Sequence, residues 1–403
     1  MDSALKAFSQ LLNTALLAAT ILAGVVMGIV LLILFLVARH AWRYVRTRRF
    51  DTLSLQIHGQ WRAIVRGEVP AEKWRNSSVR CDIVRSITIH EIGAATDKDR
   101  AGLQEFLRSS GLLDRCVERV HRGFGWKRHR AMLALGAMRV PEAIAPLSEA
   151  LCYWQLDTRM AAVQALGHTG LAEAAEPIIE AHMIGRLKVP IDPVTNALVR
   201  CYMAQPEAIL PFLRRSVGQT REILARVASE LATPGMADEM IVLAEDPLPE
   251  ARACAAKALA VAPLALAIPA LANLVRDDEW FVRLRAVAAL NQIPHPRTIP
   301  ALLEAIRDPY RLVRVRAAAA LAKFEVETVE ILHHIVDSRD RYALHAMISA
   351  LELSGGFEKV MARLSDPSLR DVTAAFLLNA LREGSAALWS TRPAEPVGET
   401  ALP

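Results

Sequence analysis

The chain has 403 residues, of which 53% are hydrophobic and 5% aromatic, and its formal net charge is +5. Its five cysteines, Cys81, Cys116, Cys152, Cys201 and Cys254, are odd in number and lack any CxxC or Cys/His spacing; this excludes a disulfide framework and a zinc module and points to reduced thiols in a reducing compartment. Five of the 48 basic residues lie in the short stretch Arg39–Arg49, and without them 43 bases balance 43 acids, so no broad basic face for nucleic acid is expected.

From Lys6 to Arg39 no charged residue interrupts the sequence, and the apolar core Ala15–Ala38 is 24 residues long. At about 1.5 Å per residue, a helix of that length exceeds the roughly 30 Å hydrocarbon core of a bilayer. A cleavable leader is basic before a short apolar run and carries small residues after it. Here the run is long and the arginines follow it, so the segment is predicted to be retained. Residues 1–38 therefore read as one transmembrane anchor and 39–50 as a basic juxtamembrane linker. Arg39, Arg43, Arg46, Arg48 and Arg49 place the C-terminal side in the cytoplasm, and Trp42 and Tyr44 suit the interfacial aromatic belt. The predicted location is the inner membrane, single-pass, with the N-terminus outside. Gly24 and Gly28 form a small-xxx-small pair of the kind that lets membrane helices approach closely.

Beyond the linker an Ala-Leu pair returns about every 31 residues, at Ala134-Leu135, Ala165-Leu166, Ala197-Leu198, Ala258-Leu259, Ala289-Leu290, Ala320-Leu321, Ala350-Leu351 and Ala380-Leu381, with Glu230-Leu231 filling the one gap. A fixed period of this length marks a solenoid whose units bury their apolar faces only against neighbours. Within a unit, Ile268-Pro269-Ala270-Leu271 and Ile299-Pro300-Ala301-Leu302 predict a first helix opened by proline, which suits a first helical turn. Asp277 and Asp308 in the following turns are read as N-caps of the second helix. That helix is rich in alanine, so neighbours can stack closely. The array is assigned to residues 51–383, with an insertion around Asp97–Ser110. After it, 384–403 loses the period, collects Pro, Gly, Thr and Glu, and is predicted to be disordered.

The unit resembles the HEAT repeat, and specifically the short class named after phycobilisome lyases. Its signature of an Asp turn, a Val-Arg step and Ala-x-x-Ala-Leu stands as Asp277…Val282-Arg283…Ala289-Leu290 and as Asp308…Val313-Arg314…Ala320-Leu321, with Asp246…Arg252…Ala258-Leu259 as a copy lacking the Val. The resemblance implies an all-α, armadillo-like α-solenoid of about nine or ten helix pairs, preceded by the transmembrane helix. It implies little about chemistry, because this scaffold serves many functions. Some relatives are enzymes. Deoxyhypusine hydroxylases hold two irons with several His-Glu pairs, whereas only His90-Glu91 has that form here. Bilin lyases use the same repeat class, yet nothing in the chain specifies a bilin pocket. P-loop, dinucleotide-binding, serine-hydrolase and zinc-protease motifs are absent from the sequence. No catalytic, cofactor-binding or metal-binding residue is assigned.

Two arginine positions recur in the second helices. Arg80, Arg128, Arg159, Arg252, Arg283 and Arg314 share one phase, and with Asp246, Asp277 and Asp308 they predict a ladder of ion pairs fixing the stack. Arg130, Arg285 and Arg316 lie two residues later with no matching acid, and are candidates for the concave, partner-binding surface. The basic cluster Arg119–Arg130 adds Trp126 and Lys127 as candidates at a turn between helices. The favoured function is a membrane-anchored cytoplasmic scaffold or adaptor of bacterial type, contacting lipid through its first helix and a protein partner through its array, without cofactor. The competing function is an enzyme or enzyme subunit of the lyase or hydroxylase type.

Overall fold

The computed structural model describes residues 2–66, 68–69, 78–365 and 377–384. The expected tail beyond residue 384 lies outside the described residues. Among those described there is no strand; the protein is an all-α solenoid of repeated helices. The chain divides into two compact units, Met1–Glu118 and Arg119–Pro403.

The first unit opens with α1 (Asp2–Gly59), a single helix that runs unbroken through the apolar stretch and the arginines after it. From Val26 to Val45 its described side chains are solvent-exposed, and the first buried one is Ile57. Among the described residues the helices that follow in this unit include α2 (Trp61–Val65), α3 (Ser78–Ala94) and α4 (Asp97–Ser109). Trp61 meets Phe106 of α4 edge to face at 6.1 Å. The insertion is thus itself a helix. Helix α3 buries Ile83, Val84, Ile87 and Ile92, and its buried Arg85 pairs with Asp82 at 3.1 Å.

Helix α5 (Leu112–Arg122) leads into the second unit, whose helices pair in chain order. The second helix of each pair is α6 (Trp126–Ala137), α8 (Leu156–Thr169), α10 (Ile191–Tyr202), α12 (Gly218–Glu230), α14 (Pro249–Ala258), α16 (Trp280–Leu290), α18 (Arg311–Leu321) and α20 (Arg341–Ser354). From the second pair onward the first helices are α7 (Ile144–Ala150), α9 (Ala175–Met183), α11 (Leu210–Arg215), α13 (Ala237–Leu243), α15 (Leu264–Leu274), α17 (Ile299–Ala305) and α19 (Thr328–Asp337). After them α21 (Gly356–Leu364) packs on α20, and residues 377–384 are helical. The periodic leucines, Leu135, Leu166, Leu198, Leu259, Leu290, Leu321, Leu351 and Leu381, are all buried. Helices α6 and α8 each rest on the next second helix with a glycine against an alanine. A Cβ on Gly136 would fall 2.1 Å from the Ala165 carbonyl oxygen, and one on Gly167 would fall 2.7 Å from the Ala197 Cα. Only a residue without a side chain fits there.

Two details of the unit differ from expectation. Pro300 does open α17, but Pro269 lies inside α15, which starts one turn earlier at Leu264. The proline is tolerated because its face is exposed, so water can serve the carbonyl of Ala265 that it leaves without a donor. Asp246, Asp277 and Asp308 are not N-caps. Each sits two residues before the N-cap residue and accepts that residue's N–H: Leu248 at 2.9 Å, Glu279 at 3.0 Å and Tyr310 at 2.7 Å. The second carboxylate oxygen is thereby left for an arginine.

That arginine comes from the preceding repeat. Arg252 Nε donates to Asp277 Oδ2 at 2.6 Å, Arg283 Nε to Asp308 Oδ2 at 2.5 Å, and Arg221 to Asp246 by the same contact. The remaining NH1 group of each clamps carbonyls of its own turn, as Arg283 does with Asp277 at 2.8 Å and Asp278 at 3.0 Å. Three rungs therefore join four successive repeats. The predicted ladder also included Arg128 and Arg159, but neither finds a carboxylate among the described residues. Arg159 reaches the Lys188 carbonyl at 3.1 Å, and Arg128 reaches the His121 carbonyl at 3.2 Å and lies over the Tyr153 ring. Their following turns lack the aspartate.

Candidate functional site

The candidate residues fall in two places on the second unit. Trp126, Lys127 and Arg130 open α6, just after the turn Gly123–Gly125, in which Gly125 has a φ of 52°. Phe124 is 83% exposed and Trp126 66% exposed, with Arg130 stacked over the Trp126 ring at 5.6 Å from its centroid. Trp154, in the equivalent turn one repeat on, is also 83% exposed. A cation over an aromatic face retains its donors for a second ligand. This patch is basic and aromatic together.

Arg285 and Arg316 stand on α16 and α18, adjacent second helices, and both are exposed. Among the described residues neither forms a salt bridge, whereas Arg283 and Arg314, two residues earlier, are tied down. The two rows thus separate as their phases on the helix dictate: one turns into the stack, the other to solvent. Arg130 is five second helices away from Arg285, so the structure gathers the candidates as two patches and not as one row. Arg226 and Lys257 also contribute charge near Arg285, all three acting on Cys254, but Arg226 is paired with Glu222 at 3.1 Å and Lys257 with Glu230 at 2.6 Å.

Apolar side chains share the Arg316 face. Leu312 and Val315 of α18, and Tyr342 and Leu353 of α20, are exposed there. They escaped the sequence reading because leucine and valine at helical spacing read as core. Their phase relative to the buried Val313 and Ala317 was the available signal.

Burial holds two thiols and two histidines of the array in their neutral forms. Burial pushes the Cys201 thiol up to about 12 and raises that of Cys254. Burial also lowers His182, which bonds Thr220 Oγ1 at 2.8 Å, and lowers His168, where nearby Arg200 and Arg139 add to the effect. Among the described residues no three His, Cys, Asp or Glu side chains gather as a metal site requires.

In the first unit, α1 is long and apolar enough to cross a membrane, and an N-terminal signal sequence meets the same criteria. Arg39, Trp42, Arg43 and Tyr44 follow the apolar stretch on its exposed surface, and Arg48 lies over the Tyr44 ring at 4.6 Å. The side chains of Arg46 and Arg49 lie outside the described residues.

Parts of this α-solenoid match families of HEAT repeats. The HEAT-repeat family matches residues 237–322 and 268–352, and the PBS lyase HEAT-like repeat matches residues 127–151 and 158–181. No curated protein matches the chain in sequence. Similar solved structures include human deoxyhypusine hydroxylase, at 21% identity and a TM-score of 0.26 over 68% of this chain and 98% of that one. The complex of CpcE and CpcF of phycocyanin lyase from Nostoc sp. is similar at 20% identity and a TM-score of 0.25, over 55% of this chain and 92% of that one. A designed armadillo repeat protein is similar at 17% identity and a TM-score of 0.26, over 52% of this chain and 98% of that one. At these values no argument about chemistry rests on them.

Proposed function

We propose that the protein is a non-enzymatic adaptor, held at a bacterial inner membrane by residues 1–38 and presenting residues 51–383 to a protein partner in the cytoplasm. The observation that carries this reading is the face of α16 and α18, where Arg285 and Arg316 are exposed, without ion-pair partners among the described residues, beside exposed Leu312 and Val315. Long side chains that combine charge with apolar contact suit a protein interface better than a small-molecule pocket. The close approach of the second helices at Gly136 and Gly167 makes theirs the tighter layer. A two-layer array bends toward its tighter layer, so this face would be concave and could wrap a partner segment. Trp126, Lys127 and Arg130 would form a second contact. The arginines from 39 to 49 favour a retained helix with its N-terminus outside. Once a partner reaches the bilayer, anchoring raises its effective concentration without any new contact.

Photocrosslinking amino acids placed at positions 285 and 316 in living cells test this reading. A discrete protein adduct from both positions is expected. Adducts at neither, in a protein that remains folded and membrane-bound, would overturn the adaptor function. A cytoplasm-dependent reporter fused after Pro403 should be active and one fused before Met1 silent; the reverse pattern would refute the topology.

A further inference from the structure

The ladder of arginines and aspartates stops one rung short. In α14 and α16, Arg252 and Arg283 clamp their own turns through NH1 and turn Nε and NH2 toward the aspartate of the next repeat, Asp277 and Asp308 respectively. Arg314 of α18 makes the same clamp, to the Asp308 carbonyl at 2.7 Å and the Pro309 carbonyl at 2.9 Å. The residue that should answer it is found by its backbone bond. Asp246, Asp277 and Asp308 each accept the N–H of the N-cap residue two positions on, and in the next turn Ser338 Oγ does so, from Asp340 at 3.3 Å. Serine has replaced the carboxylate. Arg314 therefore has no acidic partner among the described residues, and its guanidinium carbon lies over the Tyr342 ring, 5.2 Å from the centroid.

The vacancy opens into a cleft of about 710 Å³ between α18 and α20. Its cations are Arg311, Arg314 and Lys323, its walls include His345 and the apolar Val315 and Leu353, and no acidic side chain lines it. A guanidinium fork beside a ring, among other cations and apolar side chains, selects a carboxylate on an apolar stem over phosphate or lipid, because no broad phosphate-gathering surface of lysines surrounds it.

We propose that this cleft is the docking site for a partner's acidic, apolar-flanked segment, whose Asp or Glu carboxylate completes the fourth rung by bonding Arg314 as Asp308 bonds Arg283. This rests on the adaptor reading and deepens it, giving the partner segment its chemistry and its point of attachment. Binding would then complete the pairing along the stack: the partner's carboxylate would take the place that an aspartate at position 338 would otherwise fill.

The chain itself supplies a probe. The segment Leu274–Trp280 fills the rung opposite Arg252 and combines Asp277, Asp278 and Glu279 with Leu274, Val275 and Trp280. A fluorescent peptide of that sequence is titrated against the full-length protein in detergent, at low and at physiological salt. Saturable binding is expected. It should weaken at least about tenfold with Arg314→Ala or when asparagine replaces the peptide residue copied from Asp277, the loss expected for a charge-assisted bidentate pair. Ser338→Asp should supply the missing carboxylate from within, raising the thermal midpoint and blocking the peptide, whereas Ser338→Asn should do neither. No binding by the wild type, or equal binding by Arg314→Ala, would overturn the proposal. So would binding that emerges only after removal of residues 385–403, since the occupant would then be the chain's own tail. Adducts from positions 285 and 316 in cells, alongside a failed peptide titration, would leave the adaptor standing and remove only this docking site.

Discussion

The upstream and downstream parts of the second unit hold the same arginine in two ways. Arg159 clamps the carbonyls of Tyr153 and Trp154 and reaches across to the Lys188 carbonyl. Arg283 clamps Asp277 and Asp278 in the same manner and reaches across to the carboxylate of Asp308. What is shared is the clamp, which closes each arginine's own turn onto its second helix. What differs is the answer from the next repeat, neutral upstream and charged downstream. The carbonyl engages only NH2 and leaves the buried Arg159 Nε without a hydrogen bond among the described residues, while the carboxylate takes up Nε as well and adds a charge-assisted bond that ties two repeats in fixed register. The stacking contact can therefore be respecified by one turn residue with the helices left alone.

Breaking a charged rung should have the largest effect. The Arg283 and Asp308 side chains are 11% and 5% exposed, and Arg283→Ala would strand a nearly buried carboxylate at a cost of about 3–5 kcal/mol. Chemical denaturation would measure the loss. Hydrogen exchange should show it spreading into α17 and α18, since solenoid stability resides in neighbouring interfaces. An effect confined to α16 would contradict that account.

Acid sharpens the same contrast. Burial opposes ionisation of Asp277, but the bonds from Arg252 and from the Glu279 N–H, with the charges of Arg252 and Arg283, outweigh it and hold its pKa below the ordinary value. A depressed folded pKa stabilises fully above the unfolded value of about 3.9 and loses that contribution as pH falls through the lower folded value. The stability gap between wild type and Asp277→Asn should thus be constant near neutrality and close only in strong acid. A gap that closes between pH 6 and 8 would place the titrating group elsewhere.

Arg159→Ala should cost less, about 1–2 kcal/mol, because it abandons only neutral carbonyls that water can partly serve. A loss as large as that of Arg283→Ala would show that the clamp outweighs the carboxylate. Smallest of all, Arg285→Ala combined with Arg316→Ala should change stability by no more than about 0.5 kcal/mol, as exposed positions do, while weakening partner capture. Equal destabilisation by both arginine rows would make the second row part of the scaffold.

The repeat was legible because its period is written in small and apolar residues, whose burial does not depend on distant context. Leu290 and Leu321 fall where the Ala-Leu spacing put them, and the separation of Arg283 from Arg285 follows from a two-residue offset on one helix. The direction of the ion pairs was less legible. The spacing predicts a ladder between repeats but does not say which aspartate each arginine takes; the bond goes to the next repeat, because the local turn already offers the guanidinium its carbonyls. Arg221 was missed because the Ala-Leu mark of its helix is replaced by Glu230-Leu231, although counting 25 residues back from Asp246 finds it. Exposed Leu353 and Tyr342 could not be told from core by hydrophobicity alone.

Gly136 and Gly167 carry a mechanical consequence. Both lie where two second helices touch backbone to backbone, so their missing side chains set the local pitch of the array. A methyl group at Gly136 would act as a wedge driven into one side of a two-layer strip. The opposite layer would have to compress or the strip would straighten there, as a bimetallic blade does when one metal swells. Flexural shape in such a protein is thus encoded by what the sequence leaves out, and a single added carbon would retune it at a distance from every charged contact.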